Sequence, residues 1–424
     1  MKTIVLFGAG KSATVLIDYL VAESAINKWK FIIADANREQ ILSKTNNSPY
    51  VEAIALDIND EIARVKLIEK AHVVISMMPP SLHFLIAKDC VECRKHLLTA
   101  SYLDDKMKSL RDEINHRKLL FLCEMGLDPG IDHMSAMKLI DEIKAEGGVI
   151  NSFKSHCGGL VAPESDNNPW HYKISWNPRN VVLAGKAGAI YKEAKVIINK
   201  PYETLFNQCA EVDIAGLGKL AAYPNRDSLS YISIYKLGKA DTFVRTTLRH
   251  HAFCKGWNAI VNAGLCNDQD TLSTDGLTFK KWWEPILPFV KKANESLFTF
   301  LGLFDDTLVP ASAQTNADVL QYLLETKLLM QPLDKDMIVM QHEIDYELNG
   351  VNRSIVSSLI VKGEDNLRTA MAKTVGLPLG IAAKLLLDGN LKQRGLHLPI
   401  SKNIYLPVLT ELEKMGIFFK EVKK

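Results

Sequence analysis

A short stretch near the start of the 424-residue chain limits its fold more than any other feature. Residues 3–7 are an apolar run typical of a buried strand, and the pattern Gly-x-Gly-x-x-Ala follows directly at 8–13. In a strand–turn–helix unit, Gly8 makes the tight turn, Gly10 lets a phosphate approach the backbone, and Ala13 lets the helix pack on the strand. The backbone N–H groups and the positive end of such a helix attract an anion. The stretch therefore predicts a dinucleotide-binding unit.

The rest of the first third repeats an alternation of buried strands and helices, which predicts a complete dinucleotide domain of six strands. The second strand ends in Asp35, where an acid typically binds both hydroxyls of the adenosine ribose and repels a 2′-phosphate. Asp35 therefore favours NAD, whereas the nearby Arg38 leaves NADP open. Ligands of such sheets bind outside the carboxyl ends of the strands. The residues that we expect around the cofactor are Gly8, Gly10, Lys11, Ser12, Ala13, Asp35, Arg38, Asp57, Ile58, Ser76, Met77, Pro79 and Ser101.

Composition excludes several classes of partner. With 47% apolar and 24% charged residues and a net charge of +2, the chain is an ordinary globular protein with no expected nucleic-acid ligand. We see no apolar run near 18 residues and no signal-peptide pattern, so we expect no membrane span and a cytoplasmic location. The seven cysteines are scattered and odd in number, and the histidines lack ligand spacing, so we expect neither a disulfide framework nor a metal site.

The pattern changes after Asp128, where antiparallel-looking strands replace the alternation. We predict strands at 149–157, 195–199, 231–235 and 242–247, with Gly158-Gly159 breaking the first and exposing its N–H groups. The predicted class is α/β: an N-terminal Rossmann domain over 1–127 with 390–424 packed back on it, an α+β substrate-binding and dimerisation domain over 128–249 and 335–389, closed by a helix at 367–387, and a helical insertion over 250–334.

Three polar clusters are candidates for chemistry. The first joins Ser101 and Tyr102 to Asp128 and Asp132, and the second is the stretch 155–165. Arginines of the second domain form the third, and several guanidinium groups in one cleft would bind a substrate with several carboxylates. Taken one by one, these arginines could equally be surface charges, and Cys157 an ordinary strand residue. The arginines are Arg179, Arg226, Arg245 and Arg249.

Four motifs in the same order resemble those of the glutamate-forming saccharopine dehydrogenase family, over essentially the whole chain. They are Gly-Leu-Asp-Pro-Gly-Ile-Asp-His at 126–133, Cys-Gly-Gly-Leu-Val-Ala-Pro-Glu at 157–164, Tyr-Pro-Asn-Arg-Asp-Ser at 223–228 and Ala-Met-Ala-Lys-Thr-Val-Gly-Leu-Pro at 370–378. The chain looks nearest to the dehydrogenase half of animal aminoadipic semialdehyde synthases, which also carry the strand-end acid and use NAD. Lys11-Ser12, Val161 and Thr246 depart from the family pattern.

The resemblance implies oxidative cleavage of saccharopine to glutamate and 2-aminoadipate 6-semialdehyde in lysine metabolism, most simply in lysine degradation. It places Tyr102, Asp128 and Cys157 around the reacting carbon, with Asp128 orienting or accepting protons. The substrate would be held by Ser101, Tyr102, Asp128 and the four arginines. A homodimer is also implied. Two other functions stay open: a reductase of the carboxynorspermidine dehydrogenase type, for which fewer arginines should matter, and an NAD-binding scaffold without turnover.

Overall fold

The computed structural model describes residues 1–184, 186 and 188–424, which form two compact units. Unit 1 comprises Met1–Glu142 and Leu367–Phe418, and unit 2 comprises Ile143–Asn366 and Phe419–Lys424. The division differs from the predicted domain boundaries, because residues 128–142 and 367–389 belong to unit 1. The predicted helical insertion lies within unit 2.

Seventeen strands are present in the described part of the chain. They are β1 Thr3–Phe7, β2 Lys30–Asp35, β3 Val51–Ala55, β4 Val73–Ser76, β5 His96–Thr99, β6 Leu120–Leu122, β7 Val149–Val161, β8 Ala189–Glu193, β9 Val196–Lys200, β10 Ala210–Ile214, β11 Gly218–Pro224, β12 Arg226–Asp227, β13 Thr242–Arg249, β14 Asp336–Leu348, β15 Val351–Lys362, β16 Gly395–His397 and β17 Lys420–Lys423.

Fifteen α-helices are found in the same ranges, besides short 3₁₀ turns. They are α1 Thr14–Asn27, α2 Arg38–Thr45, α3 Glu61–Lys70, α4 His83–Glu92, α5 Asp105–Ser109, α6 Arg111–His116, α7 Ile131–Ala145, α8 Pro178–Leu183, α9 Leu229–Ile234, α10 His251–Asn262, α11 Phe279–Trp282, α12 Glu295–Phe300, α13 Asn316–Lys327, α14 Ala370–Leu387 and α15 Lys402–Lys414.

Unit 1 is built on a parallel sheet of seven strands in the order β16-β6-β5-β4-β1-β2-β3. Six of these strands have the 3-2-1-4-5-6 order of dinucleotide-binding folds. The central strands β1, β2 and β4 are apolar and buried on both faces, as parallel strands covered by helices must be. The Rossmann prediction is confirmed. The seventh strand, β16, comes from the C-terminal segment.

The long apolar helix α14 belongs to unit 1 because two glycines let it approach α1. A Cβ atom at Gly376 would lie 2.9 Å from the Leu16 Cβ, and one at Gly380 would lie 2.5 Å from the Tyr19 ring. By length and composition alone α14 could cross a membrane, contrary to our count of apolar runs, but 72% of it is buried within the protein. A core helix shows the same pattern. We predicted that this helix closes the second domain, and the structure places it in unit 1.

Unit 2 is built on a mixed sheet of ten strands whose central path is β10-β11-β13-β7-β14-β15-β17. The long strand β7 pairs parallel with β13 and antiparallel with β14. Gly158 and Gly159 do not break β7, because both stay in register with β14. Their lack of side chains serves packing instead: a Cβ at Gly158 would lie 2.4 Å from the carbonyl oxygen of Leu248 on β13.

Residues 231–235 are the second local error, since they lie largely in helix α9 and not in a strand. The run Tyr-Ile-Ser-Ile-Tyr has strand-like alternation, but Tyr235 packs edge-on against Phe153 of β7, which places it under the sheet. Beyond α9, the helices of residues 250–334 bury a cluster rich in tryptophan against one face of the sheet. Its members include Trp170, Trp257, Trp282, Trp283 and Phe298.

Candidate active site

The glycine turn of unit 1 has room for a phosphate. Gly8 has φ +96°, and a Cβ there would lie 2.9 Å from the carbonyl oxygen of Met77, so glycine is required. A Cβ at Gly10 would meet nothing within 4 Å. Lys11 begins a short 3₁₀ turn that leads into α1, and Ala13 is buried beneath it. The cradle fits the pyrophosphate of a dinucleotide, with the open space beside Gly10 as its floor.

Side chains from β2 and α2 brace this turn. The Asp35 carboxylate accepts hydrogen bonds from the backbone N–H groups of Ala9, at 2.7 Å, and Asn37, at 3.0 Å. The Gln40 amide and the Lys44 ammonium both donate to the carbonyl oxygen of Ala9, at 2.9 and 2.6 Å. Asp35 thus stands at the predicted place but is already engaged with the turn. It keeps lone pairs for a ribose hydroxyl.

The other predicted cofactor residues lie at or beyond the carboxyl ends of strands. Arg38 is exposed and donates through Nε to the Ala53 carbonyl at 3.2 Å. Asp57 accepts from the Asn59 N–H at 2.9 Å in an Asx turn, and Ile58 is buried beside it. Met77 and Pro79 follow β4 along the rim.

A buried histidine that no sequence pattern predicts lies at this rim. His83, at the start of α4, contacts the Ser76 hydroxyl through Nδ1 at 2.7 Å and the Ser101 hydroxyl through Nε2 at 2.6 Å. Burial lowers its pKa to about 4, opposed by the carboxylate of Asp104. A neutral imidazole has one donor and one acceptor nitrogen, so one serine donates to it and the other accepts. His83 therefore fixes the hydroxyl directions of two predicted site residues.

Tyr102 and Asp128 come together as predicted from their positions after neighbouring strands. The Tyr102 hydroxyl donates to Asp128 Oδ1 at 3.3 Å, and both side chains are half-buried, within reach of a ligand. A phenol and a carboxylate in contact can orient an amine or a water molecule and hold a proton between them.

A buried charge network holds the two loops that carry this pair. Glu124 accepts from the Leu103 N–H at 2.9 Å through Oε1, and its Oε2 contacts His133 Nε2 at 2.7 Å. Its backbone N–H donates to the Ser101 carbonyl at 3.0 Å. Asp132, next to His133, accepts from the Gly130 N–H at 2.6 Å. The sequence did not predict the contact between Glu124 and His133, because an acid at a strand end and a histidine near a helix start match no known motif spacing.

In unit 2, one face of the ten-stranded sheet gathers the remaining candidates. Side chains alternate between faces along a strand, so Arg245, Thr247 and Arg249 of β13 share one face. Strand register places Cys157 beside Thr247. Cys157 is 7% exposed. Strand register thus places Cys157 on the same sheet face as Arg245 and Arg249.

The two arginines of β13 are buried against aromatic rings. The Arg245 guanidinium lies 4.5 Å from the Tyr231 ring centroid, and that of Arg249 lies 5.3 Å from Tyr172 and 5.6 Å from Phe253. Arg249 donates to the Leu248 carbonyl at 2.8 Å, and its Nε has no hydrogen-bond partner among the described residues. A buried guanidinium with a spare donor is suited to bind an anion.

The other two predicted arginines differ. Arg179 forms an ion pair with Asp318 at 2.7 Å, at the start of α13, so this donor holds the helical part of unit 2 together. Arg226 is exposed, with φ +49°, at the short strand β12. The four arginines are therefore not equivalent: two line the sheet face, one is engaged in an ion pair, and one lies at the surface.

A metal centre has no support in the described ranges, where no group of three or more His, Cys, Asp or Glu side chains could hold an ion. All seven cysteines are free.

Fold and site together define the class: a dinucleotide-binding oxidoreductase with a second, mixed-sheet domain. Residues 4–121 match the family model described as saccharopine dehydrogenase NADP binding domain, and residues 126–417 match the saccharopine dehydrogenase C-terminal domain. The chain belongs to the saccharopine dehydrogenase family.

Known proteins of two lengths are similar to it. The yeast (Saccharomyces cerevisiae) saccharopine dehydrogenase [NADP(+), L-glutamate-forming] is 33% identical, and the match covers 99% of each chain. The mitochondrial alpha-aminoadipic semialdehyde synthase of Mus musculus is 34% identical over 99% of this chain but 47% of its own, so this chain spans about half of that relative. The apo structure of a yeast saccharopine dehydrogenase (L-Glu forming) superposes with a TM-score of 0.90 at 31% identity, covering 100% of both chains.

Proposed function

We propose that this chain is a glutamate-forming saccharopine dehydrogenase, which cleaves saccharopine oxidatively to L-glutamate and 2-aminoadipate 6-semialdehyde. The observation that carries the proposal is the sheet face of unit 2, where Arg245 and Arg249 flank the row that holds Cys157. Saccharopine has three carboxylates and one secondary amine. Two buried guanidinium groups would bind two of these carboxylates and fix the amine-bearing carbon for reaction.

The chemistry needs a hydride acceptor and positioned proton carriers. A dinucleotide held by the glycine turn and Asp35 would supply the acceptor for the hydride that leaves the carbon beside the secondary amine. Water adds to the resulting imine, and the carbinolamine collapses to glutamate and the aldehyde. In our proposal the Tyr102–Asp128 pair orients the amine and the attacking water and takes up the released proton. In the same proposal Cys157 lines the substrate-binding face of unit 2, His83 orients Ser101 in unit 1, and Arg179 and Arg226 contribute less to substrate binding than Arg245 and Arg249.

The cofactor is a nicotinamide dinucleotide. It remains to be decided whether the 2′ position of its adenosine ribose carries a hydroxyl, as in NAD, or a phosphate, as in NADP. Asp35 favours NAD, whereas the names of the family model and of the yeast relative specify NADP. We propose that the site accepts both, because the Asp35 carboxylate is engaged by two backbone N–H groups and has a cation nearby in Lys44.

A reductase of the carboxynorspermidine dehydrogenase type remains the second candidate. The ion pair of Arg179 with Asp318 favours it, because that arginine is committed to the protein. A homodimer and a cytoplasmic location remain predictions from sequence, which size-exclusion chromatography with light scattering and cell fractionation would test.

The deciding experiment measures reduced nicotinamide absorbance and glutamate release with saccharopine and either NAD or NADP. We expect turnover in wild type and a loss of roughly 100-fold or more in kcat for Asp128→Asn. Asp105→Asn, on the exposed start of α5, is the matched control. Turnover of a carboxylated polyamine instead of saccharopine would favour the second candidate. Tight dinucleotide binding without turnover of either substrate would favour the scaffold.

A further inference from the structure

The last turn of α2 brings a lysine against the glycine turn. Lys44 Nζ donates to the carbonyl oxygens of Ala9, at 2.6 Å, and Gly10, at 2.7 Å. The N-cap Asn37 and the following strand β3 fix α2 in this position, since Arg38 Nε bonds to Ala53 of β3. A cation is therefore held against the glycine turn, on the side where Asp35 would bind the adenosine ribose of a dinucleotide.

The carboxylates around this lysine are accounted for. Asp35 of β2 and Asp18 of α1 both act to raise the Lys44 pKa, but burial outweighs them and lowers it to about 8. Asp18 is paired with Arg368 Nε at 2.9 Å, and Asp35 accepts from two backbone N–H groups. Lys44 is thus protonated at neutral pH, and neither carboxylate is within salt-bridge distance of it.

A ribose 2′-hydroxyl and a 2′-phosphate require opposite kinds of side chain near Asp35 and Lys44. The hydroxyl needs an acceptor, which Asp35 supplies, whereas a phosphate needs a cation to offset that carboxylate. Arg38 is the obvious candidate in the sequence, but its guanidinium is turned to the Ala53 carbonyl and lies 4.0 Å from Glu39. Besides Lys11, which is part of the turn, Lys44 brings a cation from another element against the backbone of the turn.

We propose that Lys44 is the residue that determines tolerance of the 2′-phosphate, so that NADP binds despite Asp35. This inference rests on the proposed dinucleotide-dependent function. It predicts that the charge of Lys44 matters for NADPH and not for NADH, whereas its hydrogen bonds to the turn matter for both.

The test is titration of the purified chain with NADPH and with NADH, followed by nicotinamide fluorescence. Lys44→Arg keeps the charge, and Lys44→Gln keeps a donor for the carbonyls but removes the charge. We expect Lys44→Gln to weaken NADPH about tenfold or more and NADH less than about twofold, as loss of a charge-assisted hydrogen bond would do. Lys44→Arg should stay near wild type. Lys70→Met, in the last turn of α3, is the control for losing a helix-end lysine.

A second test measures how the affinity for NADPH and NADH depends on pH in the wild-type protein. Because the Lys44 pKa is about 8, raising the pH from 7 to 9 should weaken NADPH relative to NADH in wild type, and this change should be absent in Lys44→Gln. Equal weakening of both dinucleotides, or of neither, would overturn the assignment and leave Lys44 as a brace of the turn. If wild type binds neither dinucleotide, the proposed function itself fails, which is a separate outcome.

Discussion

The two units of this chain bury charge in different ways. In unit 1 the buried Glu124 and His133 satisfy each other at 2.7 Å. In unit 2 the buried Arg249 lies among aromatic rings, and within the described part of the chain its Nε has no hydrogen-bond partner. Unit 2 is able to pair its charges, since Lys173 and Asp334 form a buried ion pair at 2.6 Å. We infer from the contrast that the paired groups of unit 1 hold its loops in place, and we propose that Arg249 of unit 2 is available to bind an anion.

The largest expected effect tests the paired network of unit 1. Glu124→Ala removes the 2.7 Å contact of Glu124 with the buried His133 and should lower the free energy of unfolding by about 3–5 kcal/mol. Glu124→Gln keeps the size and the acceptor for Leu103 and should cost less. Urea denaturation with both variants checks this. If the alanine variant is as stable as wild type, the network is not what holds the loops of Tyr102 and Asp128.

Arg249→Met tests the unmatched charge of unit 2. We expect KM for saccharopine to rise roughly 100-fold, as loss of a buried bidentate carboxylate contact would cause. Dinucleotide affinity and stability should not fall, because no carboxylate is left unpaired. Steady-state kinetics, dinucleotide titration and melting temperature measure the three quantities.

Lys173→Met is the matched comparison, because it removes the cation that pairs with the buried Asp334. It should destabilise the protein without the large rise in KM for saccharopine. If the Arg249→Met variant melted well below wild type while KM for saccharopine stayed unchanged, Arg249 would serve stability and not substrate binding.

A smaller effect concerns the strand spacing that supports the arginine face. Gly158→Ala would force β7 and β13 apart at Leu248 and should cost about 1–3 kcal/mol of stability, as overpacking does. Gly238→Ala, where a Cβ would meet nothing within 4 Å, should be nearly neutral. Equal melting temperatures for the two variants would show that β7 can shift without strain.

The smallest effect is a dependence of stability on pH. Burial lowers the pKa values of His83 in unit 1 and His156 in unit 2 to about 4. His156 is flanked by Glu343, which opposes the shift, and Lys154, which adds to it. In the unfolded chain the two histidines have the ordinary pKa of about 6.5 and therefore bind protons more readily than in the folded chain. The free energy of unfolding is therefore highest above pH 6.5 and falls as the pH drops toward 4. His83→Gln and His156→Gln should each flatten the slope of melting temperature between pH 6.5 and 4. An unchanged slope in both would contradict this.

How far the sequence predicts the structure differs between the units for a physical reason. The glycine turn, the six strands of unit 1 and the end of β2 at Asp35 are local, because each depends on a short stretch with its own periodicity. The Tyr102–Asp128 contact follows from two strand ends that meet at one edge of a parallel sheet. The errors arose where residues far apart in the chain determine the structure. Gly158 is a close-packed strand residue because of Leu248, and residues 231–234 are helical, with Tyr235 at the end of the helix packed on Phe153.

By itself, the sequence determined that this chain has a parallel-sheet dinucleotide domain, a mixed second domain and the motifs of the saccharopine dehydrogenase family. Only the tertiary structure decided which arginines share a sheet face, that α14 packs on α1, and that His83, Glu124 and Lys44 reach the site. The reason is that strand register, helix packing and the pairing of buried charges join residues far apart in the chain, and no local pattern records those distances.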